Sequence, residues 1–227
     1  MRKVNTKLYV VALIITLLIF TAGVLLGLVI EGERVEYLSE ERKIQETNFN
    51  SLQLQYLYLS GLEEKKKCPA LSTALNKYIK ETDELRVRIE NYAQQSNIKQ
   101  EELGLLKRQY VIAQLNYWLM AKRTKKLCET DYVTLLYFYE KEQSQSMNQG
   151  VVLDYYKKKL GDDLLIFALD SEFTQEPMIP MLMSAHNITS TPSIVVEDTV
   201  YTGFHSKDDI QGILCQSYEN KTEVCDE

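Results

Sequence analysis

Apolar residues recur at heptad spacing in two neighbouring stretches of the chain. The first stretch follows a 4,3 spacing and the second a 3,4 spacing, which is typical of two α-helices that pack along one seam. The first set is Leu71, Leu75, Tyr78, Thr82, Leu85, Ile89 and Tyr92, and the second is Leu103, Leu106, Tyr110, Ala113, Tyr117, Met120 and Thr124. When the two sets are folded against each other, the numbers of every facing pair add to 195. The pattern therefore predicts an antiparallel helical hairpin over residues 68–128, with its turn near Ser96 and Asn97.

A second pattern is the run of 23 uncharged residues at positions 8–30. At about 1.5 Å per residue, a helix of that length reaches roughly 34 Å, enough to cross a hydrocarbon core of about 30 Å. Arg2, Lys3 and Lys7 precede the run, which predicts a cytoplasmic tail at residues 1–7 and an extracytoplasmic remainder. The alternative is a cleaved signal peptide, whose apolar run would be shorter and followed by a small-residue cleavage site. We therefore expect a single-pass protein of the cell membrane with an uncleaved signal-anchor.

Residues 31–67 lack proline and carry mixed charge, with apolar residues at helical spacing from Phe49 to Leu59. This pattern predicts a helical stalk, although the alternation over residues 52–59 would also suit a strand. A parallel coiled-coil dimer is a further alternative, but the heptad pattern fails before Phe49, which leaves the oligomeric state open. Gly61 and the charged run at residues 63–67 predict a break before the hairpin.

From residue 131 onwards the pattern changes to strands that alternate with helices, which predicts an α/β domain over residues 131–216. Strands are predicted at residues 132–139 and 163–169, and a β-hairpin is predicted from residues 193–197 and 200–204 around Asp198 and Thr199. Helices are predicted at residues 147–160 and 176–185. Ser206 and Asp209 form a capping box that opens a last helix to about Cys215. The predicted order is β-α-β-α-β-β-α, followed by an acidic tail at residues 217–227.

The formal net charge of the chain is −6. Without Arg2, Lys3 and Lys7, 23 basic residues face 32 acidic residues in the remainder. A surface of that sign repels phosphate backbones, so we expect no nucleic-acid partner.

Four cysteines lie on the predicted outer side of the membrane, where thiols persist as disulfides. The hairpin register places Cys68 opposite position 127, which predicts a disulfide with Cys128; two unpaired buried thiols are the alternative. Cys215 and Cys225 are expected to clip the acidic tail to the last helix. None of the four forms a C-x-x-C pair or stands at metal-ligand spacing with a histidine, so we expect no metal and no cofactor.

The landmarks of residues 131–216 resemble the thioredoxin superfamily. Phe138 and Tyr139 end the first strand, and Gln143, five residues after Phe138, stands where a family member carries the first cysteine of C-x-x-C. Ser146 stands where the second cysteine would be. The run at residues 186–196 is similar to the family's loop with a cis-proline, here Pro192, before the third strand. The resemblance implies a thioredoxin-like fold.

The chain departs from the family at the residues that carry its chemistry. The family's first cysteine sits at a helix N-terminus, which lowers its pKa, and its thiolate attacks a disulfide. Gln143, Ser144, Gln145 and Ser146 contain no thiol, and a hydroxyl has no redox couple to exchange. We therefore interpret these four residues as a degenerate active-site loop and predict no catalytic residue in it.

Peptide binding is the family property that needs no cysteine. In the family, the residue before the cis-proline offers its backbone to an extended substrate, a role that the resemblance assigns to Thr191 beside Pro192. The resulting hypothesis is a redox-inactive binding or scaffold module for an extended peptide or an envelope protein. The alternatives are a thiol-disulfide oxidoreductase or isomerase that uses one of the other cysteine pairs, and a purely structural stalk. A serine activated by His186 or His205 would need a geometry that sequence does not show.

Overall fold

The computed structural model describes residues 13–25, 51, 54–55, 58–59, 61, 64–94, 99–128, 130–218 and 225. The chain divides into two compact units, Met1–Gly61 and Leu62–Glu227, and each is described by itself.

In the first unit, helix α1 covers residues 13–25, and the described residues between 51 and 61 are also helical. Within the described ranges, no helix is both long and apolar enough to cross a membrane. The predicted cytoplasmic tail, both ends of the predicted anchor and most of the predicted stalk lie outside the described residues.

The second unit begins with two long helices, α2 at Glu64–Ala93 and α3 at Gln100–Cys128. A disulfide joins Cys68, near the start of α2, to Cys128, the last residue of α3, so the helices run antiparallel. This is the pairing that the hairpin register predicted. The predicted turn of the hairpin lies outside the described residues.

Most of the charged run that was predicted to belong to a break before the hairpin is helical, because α2 begins at Glu64. Residues 64–67 of the charged run therefore lie in α2, and Pro69 lies inside this helix, whereas residues 62 and 63 lie outside the described residues. Glutamate and lysine are good helix formers, and a proline near a helix start removes a single backbone hydrogen bond. The helix therefore begins about one turn before residue 68, the predicted start of the hairpin.

The apolar stripe predicted on α2 is the buried face of that helix. Leu71 and Tyr78 are buried, and the other five positions of the stripe are half-buried. Most residues between the stripe positions are exposed. One face of α2 is therefore buried, and it packs against α3.

A four-stranded sheet follows the hairpin, with the strand order β2-β1-β3-β4. The strands are β1 Val133–Tyr139, β2 Leu164–Asp170, β3 Ser193–Val196 and β4 Thr199–Thr202. β1 and β2 are parallel, and β3 runs antiparallel to both β1 and β4. The helices are α4 Ser144–Leu160, α5 Met178–Ala185 and α6 Lys207–Ser217, and a 3-10 turn, Gly161–Asp163, precedes β2. The order β-α-β-α-β-β-α is the order predicted from the sequence.

The two faces of the sheet are covered by different helices. On one face, which we call the α4 face, Leu153 of α4 and Ile210 of α6 belong to the buried core. On the other, the hairpin face, Trp118 of α3 and Ile179 of α5 pack in one cluster with Phe138 of β1. The helical hairpin thus covers part of one face of the sheet. The predicted boundary near residue 130 separates two segments that share one core.

The turn between β3 and β4 begins one residue earlier than predicted. The register leaves Glu197 and Asp198 in the turn, whereas the sequence predicted Asp198 and Thr199. Glu197 has a positive φ of 56°, which local sequence does not favour for this residue type. Its carboxylate accepts hydrogen bonds from Thr134 N at 2.8 Å and from Lys125 Nζ at 3.0 Å. Contacts with β1 and α3 therefore hold the turn in this position.

Helix α6 begins with the predicted capping box. Ser206 Oγ accepts a hydrogen bond from Asp209 N at 3.3 Å, and Asp209 Oδ2 accepts one from Ser206 N at 2.9 Å. The bonds from Ser206 hold the pKa of the Asp209 carboxyl below its ordinary value. Near the other end of α6, Cys215 forms the second predicted disulfide, with Cys225.

Candidate functional site

The degenerate loop lies between β1 and α4. Gln143 is the N-cap residue of α4, with extended backbone angles of φ −86° and ψ 120°, and Ser144, Gln145 and Ser146 form the first helical turn. Ser144 and Gln145 are exposed, Gln143 is half-buried, and Ser146 is only 2% exposed. A nucleophile at position 143 would therefore lie at the positive end of a helix. The resemblance places the first cysteine of the family at this position.

Both the side-chain hydroxyl and the backbone carbonyl of Ser146 form hydrogen bonds. Its Oγ donates to Gln143 Oε1 at 2.6 Å and accepts from Glu140 N at 3.3 Å. Its carbonyl accepts a hydrogen bond from Tyr137 OH. Burial raises the pKa of Tyr137 to about 12, so this phenol keeps its proton and remains a donor at neutral pH. The hydroxyl and the carbonyl of Ser146 thus have hydrogen-bond partners within the loop and on β1.

The peptide bond between Thr191 and Pro192 is cis, as the resemblance implied. Both residues are buried, and Thr191 is 8% exposed. Pro192 O accepts a hydrogen bond from Gly203 N at 2.8 Å. Gly203 has a φ of 88°, a conformation that glycine adopts without steric cost. The end of β4 therefore supports the cis-proline segment.

Glu140 connects the degenerate loop to the cis-proline segment. Its N–H donates to Ser146 Oγ, and its Oε1 accepts from Thr191 Oγ1 at 2.7 Å. No motif in the sequence pointed to Glu140. Its place directly after a strand of a parallel pair was the available signal, because ligand sites of α/β sheets gather at the carboxyl ends of such strands.

The arrangement has no group that could exchange a disulfide. An amide and a hydroxyl lack a redox couple, and all four cysteines of the chain lie in the two disulfides. The Ser146 proton is donated to Gln143, so neither His186 nor His205 receives it. In the described part of the chain, no cluster of three or more His, Cys, Asp or Glu side chains could hold a metal ion. What the site can offer is a preorganised backbone.

Two clefts flank the carboxyl ends of β1 and β2. The α4 cleft, of about 300 Å³, lies beside the degenerate loop and includes Ser146, Met147 and Gly150 in its wall. The hairpin cleft, of about 260 Å³, lies between the helical hairpin and the sheet. Its wall is formed by Arg86, Ile89, Glu90, Lys107, Tyr110, Val111, Asp170 and Phe173, together with three residues that it shares with the α4 cleft, Tyr139, Lys141 and Ala168.

Charged groups at the shared wall of the two clefts are paired. Lys141 Nζ donates to Asp170 Oδ2, and this bond raises the pKa of Lys141. Burial raises the pKa of Tyr139, whose ring stacks on Tyr137 with centroids 5.4 Å apart. At neutral pH, Lys141 of the shared wall is therefore paired with Asp170 of the hairpin cleft, and the phenol of Tyr139 is protonated.

Replacement of Ser146 by alanine is expected to lower the free energy of unfolding by about 1 kcal/mol, because the half-buried Glu140 N–H loses its acceptor and Gln143 loses its donor. Urea unfolding of the full chain, followed by circular dichroism, measures this difference. Ser144→Ala, at an exposed position of the same turn, is the control and should have little effect. Equal effects of the two substitutions would show that the Ser146 hydroxyl does not stabilise the loop.

No protein-family model matches the chain, and no curated protein matches it. Solved structures are similar to part of it. A malarial protein is 20% identical over 40% of this chain and 100% of its own, with a TM-score of 0.32. Chloroplastic thioredoxin z is 16% identical over 42% of this chain and 87% of its own, with a TM-score of 0.33. A thioredoxin variant from Halobacterium salinarum is 16% identical over 40% of this chain and 80% of its own, with a TM-score of 0.34.

The class of protein rests on the topology itself. The sheet order β2-β1-β3-β4, a helix that starts directly after β1, and a cis-proline directly before β3 define a thioredoxin-like fold. The fold occupies the C-terminal part of the chain, and α3 of the helical hairpin covers part of its sheet.

Proposed function

We propose that this chain is a membrane-anchored, extracytoplasmic protein whose thioredoxin-like fold binds an extended peptide or another envelope protein without redox chemistry. One observation carries the proposal. The position of the reactive loop is occupied by Gln143 and Ser146, which are hydrogen-bonded to each other, while every cysteine is used in a disulfide elsewhere. A fold that keeps its loop and its cis-proline without a thiol retains the binding surface and lacks the exchange reaction.

The backbone of Thr191 is the proposed contact for the bound segment. A partner in an extended conformation would pair with its N–H and C=O as an added strand. The hydrogen bond from the Thr191 hydroxyl to Glu140 Oε1, at 2.7 Å, restrains the conformation of this residue. Binding to a preorganised backbone avoids part of the entropy cost of ordering it, which supports a binding role at this position.

The membrane location is proposed from the sequence. The uncharged run at residues 8–30 and the basic residues before it support an anchor with the N-terminus in the cytoplasm. The two disulfides are consistent with an oxidising compartment for the remainder of the chain.

Disulfide reduction by the purified full chain in mild detergent tests the absence of redox activity. With insulin as substrate and dithiothreitol as reductant, the native chain should show no turnover, and titration should find no free thiol. The double variant Gln143→Cys with Ser146→Cys is the positive control, because its first thiol would lie at the N-terminus of α4, where the helix dipole lowers a thiol pKa. Turnover by the native chain with a reducible cysteine pair would favour the alternative, a thiol-disulfide oxidoreductase or isomerase.

Recovery of bound proteins from solubilised membranes tests the role of Thr191. Thr191→Pro removes the backbone N–H and should abolish co-purification of a partner, whereas Thr191→Val keeps the N–H and removes only the hydroxyl. Thermal melts of both variants show whether the fold is intact. Identical recovery with all three chains would indicate a structural stalk instead of a binding module.

A further inference from the structure

Strand β2 forms one edge of the sheet. Its only strand neighbour in the described part of the chain is β1, with Tyr139 opposite Asp170 in the register. Ser171 N donates to Tyr139 O at 2.9 Å. Because hydrogen-bonding direction alternates along a strand, the backbone groups of residues 165, 167 and 169 face β1. Those of residues 164, 166, 168 and 170 face outwards.

The outward groups at both ends of β2 are already used. Leu164 O accepts a hydrogen bond from Lys157 Nζ at 2.9 Å, and Asp170 O accepts one from Phe173 N at 3.0 Å. In the middle, the outward N–H and C=O groups of Ile166 and Ala168 have no partner among the described residues. This open stretch offers two donors and two acceptors to an added strand.

The open stretch also lacks the devices that usually protect a sheet edge. Exposed edges commonly carry a lysine, a proline or a bulge that prevents another strand from pairing. Residues 164–169 are all uncharged and apolar, contain no proline, and pair with β1 in an uninterrupted register. Ala168 is exposed, so its outward backbone groups are accessible to a second strand.

The hairpin cleft is bounded by residues of α2 and α3, and the α4 cleft by residues of α4, so each is bounded by the helices of a different face of the sheet; both clefts include Ala168. Successive side chains of an extended peptide point in opposite directions. A strand laid along Ile166 and Ala168 would therefore direct one side chain into the hairpin cleft and the next into the α4 cleft. A cavity of about 150 Å³ suffices for a benzene ring, so clefts of about 260 and 300 Å³ each have room for an aromatic side chain.

Charge distinguishes the hairpin cleft from the rest of the acidic chain. Of its three cations, Arg86 is paired with Glu90 at 2.8 Å, and Lys141 is paired with Asp170. Lys107 is half-buried and has no ion-pair or hydrogen-bond partner among the described residues. The wall of this cleft thus combines aromatic rings with one uncompensated positive charge, which favours an apolar side chain accompanied by a carboxylate.

We propose that the outer edge of β2 binds an extended segment of a partner polypeptide as a fifth strand. An aromatic side chain of that segment enters the hairpin cleft, and a carboxylate two residues away, on the same side of the strand, meets Lys107. The proposal rests on the proposed binding function, but it places the contact at a different edge from Thr191 and names the chemistry of the partner.

A defined peptide in an anisotropy titration tests the proposal on the full chain in detergent. The probe is fluorescein-labelled Thr-Asp-Thr-Phe-Thr-Asp-Thr-amide, and the comparison peptide has lysine in place of both aspartates. Ala168→Pro removes one outward N–H and leaves the groups that face β1 in place. We expect it to weaken binding at least about tenfold, the equivalent of roughly 1.4 kcal/mol, while Ala168→Val, which keeps the N–H, stays within about twofold.

Two charge variants test the class of ligand. Lys107→Glu should weaken binding of the aspartate peptide at least about fivefold and reverse the preference between the two peptides. Lys126→Glu makes the same change of net charge at an exposed position of α3 and should leave the preference unchanged. Circular dichroism melts of all variants establish that each is folded.

The outcomes separate this inference from the proposed function. Equal affinities of Ala168→Pro and Ala168→Val would overturn the inference, as would binding that is lost only in Thr191→Pro, although the latter would leave the binding function in place. Absence of peptide binding, together with partner recovery unaffected by Thr191→Pro, would overturn both. Self-association of the native chain that Ala168→Pro abolishes, without peptide binding, would identify a second copy as the occupant and exclude a partner peptide.

Discussion

Replacement of Trp118 by alanine is expected to lower the free energy of unfolding of the second unit by about 4 kcal/mol, equivalent to a fall of roughly 10 °C in Tm. Trp118 lies on α3 and is 5% exposed, in one cluster with Leu136 and Phe138 of β1. Removal of the indole ring opens a cavity between the helical hairpin and the sheet. The backbone amides of both should therefore lose protection from hydrogen exchange together. The effect is large because the side chain belongs to the core that the two segments share.

Hydrogen exchange of the full chain provides the measurement, since it reports the hairpin and the sheet separately. Amides of β1 should exchange faster in Trp118→Ala by the same factor as those of α3. Leu119→Ala is the matched control, because Leu119 is the next residue of the same helix and is 49% exposed. Faster exchange in α3 with unchanged exchange in β1 would contradict a shared core.

Loss of the disulfide between Cys68 and Cys128 is expected to cost about 4 kcal/mol of stability on the chain-entropy model. The bond closes a loop with a sequence separation of 60 residues. It also holds the open end of the helical hairpin, where Tyr132 OH donates to Ala121 O at 2.7 Å and connects α3 to the segment before β1. Release of this end should therefore loosen α3 on the sheet as well as the hairpin itself.

Urea unfolding of Cys68→Ser with Cys128→Ser, compared with the native chain, measures this cost. The control is Cys215→Ser with Cys225→Ser, whose sequence separation is only 10 residues. The same model gives about 3 kcal/mol for that shorter loop, so the hairpin variant should be the less stable of the two. Two results would refute the assignment of the Cys68–Cys128 bond as the main covalent constraint. One is a larger loss of stability in the Cys215→Ser, Cys225→Ser variant, and the other is an unchanged urea midpoint when the native chain is reduced.

Much of the fold could be predicted because the signals are local. The seven positions of the α2 stripe are all buried or half-buried in the structure, since a helix with one partner has one apolar face. The capping box at Ser206 was also predictable, because it depends on residues close together in the chain, whereas the cis bond before Pro192 was expected only from the resemblance to the thioredoxin superfamily. The turn at Glu197 was misplaced by one residue because contacts with Thr134 and Lys125, distant in sequence, decide it.

The candidate site was predictable only in part. Gln143 and Ser146 were located by their distance from Phe138, a spacing that the sequence displays directly. Glu140 was missed because nothing in its neighbourhood shows that its carboxylate meets Thr191, 51 residues further along the chain. A hydrogen bond across the ends of two strands requires the sheet order, which no local pattern supplies.

By itself, the sequence determined the long uncharged run, the order of strands and helices, the pairing of the two helices and the absence of a thiol from the loop. Only the tertiary structure decided what covers the sheet and which edge stays open. Val111, Leu115 and Trp118 form a second apolar stripe on α3, beside the one that faces α2, and it packs on the sheet. The physical reason is that hydrophobic periodicity shows that a face is buried but not against which partner. Likewise, the backbone groups of Ile166 and Ala168 that have no partner in the described part of the chain can be identified only once β2 is known to lie at the edge of the sheet.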